Sequence, residues 1–318
     1  MKAVRIHRFG PPEVITLEDL PKPVPGVGEV VIKVEAAGVG RFDGLIRRGQ
    51  SVMVQTLPLT LGSDVAGMID SIGPGVQRFK IGDEVFGVTN QGFTGAYAEY
   101  ALAKADRIAP KPQTLNYTHA ASVPVASVTA WQMVFDSAEL RAGSSVLIHG
   151  AAGNVGSYAL QFAKQAGAMV FVTASAQQVS YVRSLGAFAV IDYHTRRFEE
   201  HVKEMDAVID TVGGEILDRS FAVLRRGGIL VSATALPSQE RANECGARAV
   251  FFLVEVTAER LEKITELIDA GRVKTHVGEV LWLDEARQAH EMLEGAPHRR
   301  GKIVIKVRAG DNGQTENA

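Results

Sequence analysis

The sequence predicts an α/β protein: a doubly wound parallel sheet with crossover helices, joined to a second, β-rich region. The first observation is a change of texture near Ser127. Beyond it, short apolar runs at 146–149, 170–173, 190–192, 207–210 and 229–232 alternate with helical patterns such as 155–165 and 177–185. Parallel strands linked by helices read this way. The second observation is the texture before it. Short β-type runs, among them 30–35, 65–69 and 84–88, are broken by turn chemistry such as Pro25-Gly26 and Gly73-Pro74-Gly75. That pattern marks a barrel or sandwich. Near the end an amphipathic helix is expected over 258–270, closed by Gly271, and a final strand over 301–307. Residues 308–318 are polar and hold no core residue, so disorder is expected there.

Bulk properties narrow the function. At 318 residues the chain is too long for one ordinary core, so two domains are expected. A formal net charge of −2 gives no basic face for nucleic acid. No apolar run approaches the roughly 20 residues of a membrane helix. The opening residues carry Lys2, Arg5 and Arg8 with no apolar stretch behind them, unlike a signal peptide. Cys245 is the only cysteine, which excludes an intrachain disulfide and a four-cysteine zinc site and fits a cytoplasmic setting.

The segment that carries most chemistry is His149-Gly150-Ala151-Ala152-Gly153-Asn154-Val155-Gly156. It follows an apolar run and opens a helical pattern, the context a dinucleotide fingerprint requires. Small residues let the backbone approach a pyrophosphate, and free amides at the helix start hold its charge. Gly150, Ala151, Ala152, Gly153, Asn154 and Val155 are therefore expected to contact the cofactor. The spacing is G-x-x-G-x-x-G, a departure from the usual G-x-G-x-x-G. About twenty residues on, an NAD site usually places Asp or Glu to bind the ribose hydroxyls. Here the second strand ends Val172-Thr173-Ala174-Ser175-Ala176, with no carboxylate. Ser175 leaves room for a 2′-phosphate and can donate to it, which favours NADPH. It can equally serve as the cap of the helix beginning near Gln177.

At this point the residues resemble a known family. Met1-Lys2-Ala3 with Phe9-Gly10, Ala37-Gly38-Val39 before Asp43, and Leu61-Gly62-Ser63-Asp64-Val65-Ala66-Gly67 follow in order. So do Gly82-Asp83-Glu84-Val85, Gly95-Ala96-Tyr97-Ala98-Glu99-Tyr100, Thr129-Ala130-Trp131, the glycine segment and Gly301-Lys302-Ile303-Val304. The chain resembles the zinc-independent quinone-oxidoreductase branch of the medium-chain dehydrogenase/reductase superfamily. The resemblance implies a GroES-like catalytic domain, residues 1–123 and 257–307, interrupted by a Rossmann domain, residues 124–256, with a cleft between them.

Departures from the superfamily bear on chemistry. Zinc-dependent relatives carry a ligand Cys before the position of Asp43 and a Gly-His-Glu motif. This chain has Gly40-Arg41-Phe42-Asp43 and Gly62-Ser63-Asp64. No metal site is therefore expected, and the eight histidines show no metal-type pairing. His149 reads as a packing or surface residue. Without a Lewis acid, the acceptor must itself take up a hydride, as quinones and α,β-unsaturated ketones do. Quinone-reductase relatives often place Asn where Gly40 stands. Arg41 is adjacent and could replace it, although a solvated arginine is the plainer reading. Relatives often carry Lys at Val179, where it would pair with the 2′-phosphate. Tyr193 matches a family tyrosine bordering that phosphate, and Arg183, one turn past Val179, is a second source of charge.

The expected reaction is hydride transfer from the nicotinamide to the acceptor, with the two carbons held about 3–3.5 Å apart. Thr129 and Ser232-Ala233-Thr234 are expected to hold the nicotinamide end. Gly40, Arg41 and Phe252 are the candidates for the substrate cleft. Phe251-Phe252 also fits as part of an apolar strand over 249–256, and an edge strand there suggests a homodimer formed by sheet extension. No protein acid stands out. Asp43, Asp64, Tyr97 and Glu99 match family positions, but structural hydrogen bonding explains each equally well, leaving solvent as a proton source. Two other readings stay open: an enoyl-thioester reductase, although no basic cluster marks a carrier site, and a non-enzymatic NADPH-binding sensor, which the loss of Asn at Gly40 favours.

Overall fold

The computed structural model describes residues 1–307; the expectation of disorder over 308–318 lies outside the described residues. The chain divides into two compact units. One takes Met1–Val125, Val256–Asp269 and residues 275–307. The other takes Ala126–Glu255 and Ala270–Lys274.

The second unit is built on six parallel strands: Ser145–His149, Met169–Ala174, Ala189–Asp192, Met205–Asp210, Leu224–Ser232 and Arg248–Phe251. Their order across the sheet is third, second, first, fourth, fifth, sixth. This is the doubly wound order in which ligands bind outside the carboxyl ends where the winding reverses. The strands are apolar because both faces are covered: Val146, Leu147, Ile148, Val208, Ile209 and Leu230 are all buried. Register places their carboxyl ends side by side. His149 pairs with Thr173 and with Asp210, Asp210 with Ser232, and Ala174 with Asp192.

The last strand is shorter than the sequence suggests. It ends at Phe251, whose partner Ser232 is the final residue of its own strand. Past that point there is no neighbour to pair with, and the Glu255 amide instead donates to the Gln132 side chain at 2.9 Å. The short segment Ala270–Lys274 is tied to this unit through Gln161, which accepts from the Lys274 amide at 2.7 Å and donates to its carbonyl at 3.1 Å.

The first unit centres on the long strand Glu29–Val39. On one side it pairs with Asp64–Ile72, followed outward by Glu84–Val88 and Ile108–Pro110. On the other, its first half pairs with Tyr100–Lys104 and its last four residues with Lys302–Lys306, beyond which lies Val277–Trp282. A smaller sheet joins Ile15–Asp19, Lys2–Ile6 and Leu59–Thr60. The helix Arg41–Arg48 follows Glu29–Val39 directly, with Gly40 at its N-cap and Gly49 closing it in the left-handed region.

Candidate functional site

The glycine segment leaves the first parallel strand at its carboxyl end and enters the helix Asn154–Gln165 through an N-cap at Gly153. Two of its glycines are fixed by close packing. Gly150 has φ +74°, and a Cβ there would lie 2.5 Å from Thr211 Oγ1. A Cβ on Gly156 would come within 2.2 Å of the Gly150 carbonyl oxygen. The loop is thus folded tightly onto the helix it opens. First-turn amides of such a helix have no intrahelical acceptor and face outward as anion donors. Trp131, Phe135 and Phe162 form an aromatic cluster, with Trp131 and Phe162 centroids 5.5 Å apart. It packs the helix Pro124–Trp131, which carries the buried Thr129, against the helix of the glycine segment.

Asp210 organises the neighbouring strand end, a role the sequence did not suggest. Fully buried, its carboxylate accepts from the Val212 and Gly213 amides at 3.1 and 3.0 Å. It also accepts from Ser232 Oγ at 2.9 Å and Thr234 Oγ1 at 3.0 Å. A buried carboxylate needs such donors, and here they pin the Ser232-Ala233-Thr234 turn. His149 is fully buried, with Nδ1 3.0 Å from Thr173 Oγ1 and Nε2 3.2 Å from Ser220 Oγ. Burial pushes its pKa down to about 4, so it is neutral at physiological pH. It is a packing residue.

Ser175 and Tyr193 follow the paired residues Ala174 and Asp192, which puts them on one edge. Ser175 occupies the N-cap of the short turn Ala176–Gln178, yet its side chain accepts no capping hydrogen bond. Tyr193 is half exposed and rests against His194. Arg183 is exposed on the helix Val179–Leu185. Phe252 follows the end of the last parallel strand, so it too emerges at the carboxyl edge.

In the first unit, the segment around Gly40 holds a buried charged group. Lys302 Nζ donates to Asp64 Oδ2 at 2.7 Å, and both side chains are almost wholly enclosed. Asp64 Oδ1 accepts the Val125 amide at 2.9 Å. Asp43, also buried, accepts the Gly40 amide at 2.7 Å. Burial outweighs that amide and the Lys302 charge and pushes the Asp43 carboxyl up to about 7. The Tyr97 hydroxyl is buried beside these carboxyls, and burial and the two aspartates hold its pKa well above the ordinary value. Arg41 is exposed, in keeping with a solvated side chain. Ser63 is buried, and no group of three metal-type side chains occurs among the described residues.

The raised Asp43 pKa has a consequence for stability. Between about pH 4 and 7 the native chain holds a proton that the unfolded chain has released, so stability falls as pH rises through that window and levels above it. Asp43→Asn keeps an acceptor for the Gly40 amide and removes the charge. Its melting temperature relative to wild type should therefore be higher at pH 8 than at pH 5. Paired thermal melts test this, and a gap independent of pH would contradict it.

The model of the alcohol dehydrogenase GroES-like domain matches residues 26–113, and that of zinc-binding dehydrogenase matches residues 185–305. The latter span includes neither Gly40 nor Ser63. A quinone oxidoreductase of Mus musculus is 35% identical over 325 residues, covering 96% of this chain and 97% of its own. The structure of the quinone oxidoreductase from Coxiella burnetii is 36% identical, with a TM-score of 0.90 over 97% of this chain and 99% of that one. The Escherichia coli quinone oxidoreductase, solved in complex with NADPH, is 27% identical, with a TM-score of 0.86 over 96% of this chain and 100% of that one.

Proposed function

The chain belongs to the zinc-independent quinone-oxidoreductase-like branch of the medium-chain dehydrogenase/reductase superfamily and is an oxidoreductase, and on that premise we propose that it uses NADPH to reduce a quinone or an α,β-unsaturated carbonyl. The observation that carries this reading is the carboxyl edge of the parallel sheet. A tightly folded glycine loop, an uncapped Ser175 hydroxyl and the Asp210-pinned turn all open onto it. Bound NADPH would supply a hydride. The amides of Asn154 and Val155, with Gly150 to Gly153, take the pyrophosphate. Ser175, Tyr193 and Arg183 surround the 2′-phosphate. Thr129 and Ser232-Ala233-Thr234 hold the nicotinamide end. Gly40 and Ser63 offer no zinc ligand, so the acceptor must delocalise the incoming charge onto its own oxygen. The exposed edge of Arg248–Phe251 is the place where a second copy would extend the sheet.

The test is anaerobic mixing of the protein and NADPH with quinones, enones and enoyl thioesters, with and without a chelator. Oxidation by quinones or enones, unaffected by the chelator, is expected. Preference for enoyl thioesters, or no turnover, would instead favour a carrier-linked reductase or a sensor. Cofactor choice has its own test. A charge-assisted hydrogen bond to phosphate is worth about 1.5–3 kcal/mol, or roughly tenfold or more in affinity. Ser175→Asp should weaken NADPH by at least that factor and improve NADH. With Val179 in place of a lysine, the wild-type preference should be modest, and Val179→Lys should enlarge it. Titration of both cofactors at fixed salt decides the matter; equal affinities in wild type would reverse the assignment.

A further inference from the structure

Asp210 is a fully buried carboxylate held, among the described residues, by neutral groups alone. The Val212 and Gly213 amides donate to it at 3.1 and 3.0 Å. The Ser232 and Thr234 hydroxyls both donate to Oδ2, at 2.9 and 3.0 Å. These donors make its burial tolerable and leave its charge in place. Of the groups acting on the neighbouring His149, Arg219 is paired with Glu199 at 2.6 Å, and His149 is itself neutral at pH 7. Register puts Asp210 in the middle of the carboxyl edge. On one side is His149, which precedes Gly150, and on the other is Ser232, which opens the pinned turn. Two residues further on, Val212 is already 45% exposed. The negative charge therefore lies just beneath the open edge, in surroundings that screen it far less than water does.

We propose that Asp210 sets the redox balance of the bound nicotinamide, its negative charge favouring the oxidised, cationic ring over the reduced, neutral one. This deepens the NADPH reading above and rests on its placement of the nicotinamide end at Ser232-Ala233-Thr234. Loss of a hydride, one proton with two electrons, converts a neutral ring to a cation, and the acceptor receives both electrons and the hydrogen. A fixed anion at that end of the site lowers the energy of the charged form and has little hold on the neutral one. It acts where charge develops and needs no reorganisation when the hydride leaves. NADPH held there is a stronger hydride donor than NADPH in water.

Binding without turnover tests this. By calorimetric titration at fixed salt, wild type should hold NADP+ at least as tightly as NADPH. Asp210→Asn keeps an acceptor for the two amides, offers the two hydroxyls a donor in exchange, and removes the charge. It should weaken NADP+ about tenfold and change NADPH by less than about twofold. Thr234→Val takes one hydrogen bond from Asp210 and leaves its charge, so both forms should shift together and the wild-type ratio persist. An Asp210→Asn protein that loses both forms equally, or keeps the wild-type ratio, overturns the proposal and leaves Asp210 as a brace for the turn. Wild type that binds NADPH more tightly than NADP+ overturns it without any variant. If NADH and NAD+ bind in place of the phosphorylated pair, with the same dependence on Asp210, the proposal stands and the NADPH assignment falls. Wild type that binds no nicotinamide cofactor removes both.

Discussion

A Gly153→Asp protein should keep its fold and lose NADPH. Gly153 is the N-cap of the helix Asn154–Gln165, with φ −80° and ψ 176°, an extended conformation that aspartate adopts freely. A Cβ there meets only the Gly150 carbonyl oxygen, at 3.3 Å, so a slight adjustment accommodates it. Aspartate is also a better cap than glycine by a few tenths of a kcal/mol. The carboxylate reaches the same first-turn amides that a pyrophosphate would use. Removing one such charge-assisted bond costs about 1.5–3 kcal/mol. Repulsion between like charges at about 4 Å adds up to roughly 4 kcal/mol near a protein surface. More than about a hundredfold loss of NADPH affinity is expected, with the melting temperature held. Gly153→Ala separates charge from bulk and should lose far less. Unchanged affinity in the aspartate variant, by fluorescence titration, would move the cofactor away from this loop.

Lys302→Met should be the most destabilising single change considered. It removes the only cation that contacts Asp64 among the described residues and leaves two buried carboxyls facing each other. Breaking a buried pair by deleting one partner costs about 3–5 kcal/mol, because the stranded charge keeps its desolvation penalty. In a unit of this size that is a fall in melting temperature of roughly 10 °C. Lys302→Met with Asp64→Asn should recover the greater part, since the amide still accepts from Val125 and no charge is stranded. A double variant as unstable as the single one would mean that Lys302 matters for its packed stem and not for its charge.

These two variants mark the limits of sequence reading. The place of the glycine loop was legible because its signal is local: eight consecutive residues running from an apolar strand into a helix. The parallel strands were legible because residues covered on both faces form short apolar runs. Their ends differ from expectation by one or two residues at most sites, and by five at the start of Leu224–Ser232 and at the end of Arg248–Phe251, where a missing partner strand, and no change in composition, stops the pairing. The Lys302–Asp64 pair was not legible, because it joins residues 238 apart that meet only through the register of Glu29–Val39 with both their strands. In the sequence Lys302 is one letter of the terminal motif Gly301-Lys302-Ile303-Val304. The available signal was a lysine at the head of the apolar run Ile303-Val304-Ile305, which must find an anion if it is enclosed. Asp210 was hidden for a similar reason: its four donor residues are supplied by two strand ends.

The place of Lys302–Lys306 inside its sheet sets an order of events during synthesis. Translation adds about 5–20 residues per second, and units tend to fold as they emerge. All six parallel strands have left the ribosome once Phe251 is out, and the Gln161 tether follows with Lys274. The other unit began first and finishes later. Ala36–Val39 lacks its neighbour until Lys302–Lys306 arrives, and for some 260 residues of further elongation it presents an unpaired, apolar edge. A nascent chain therefore carries a complete parallel-sheet unit while the other is unfinished and adhesive. Ribosome stalling or truncation shortly before residue 302 would release the species most in need of a chaperone.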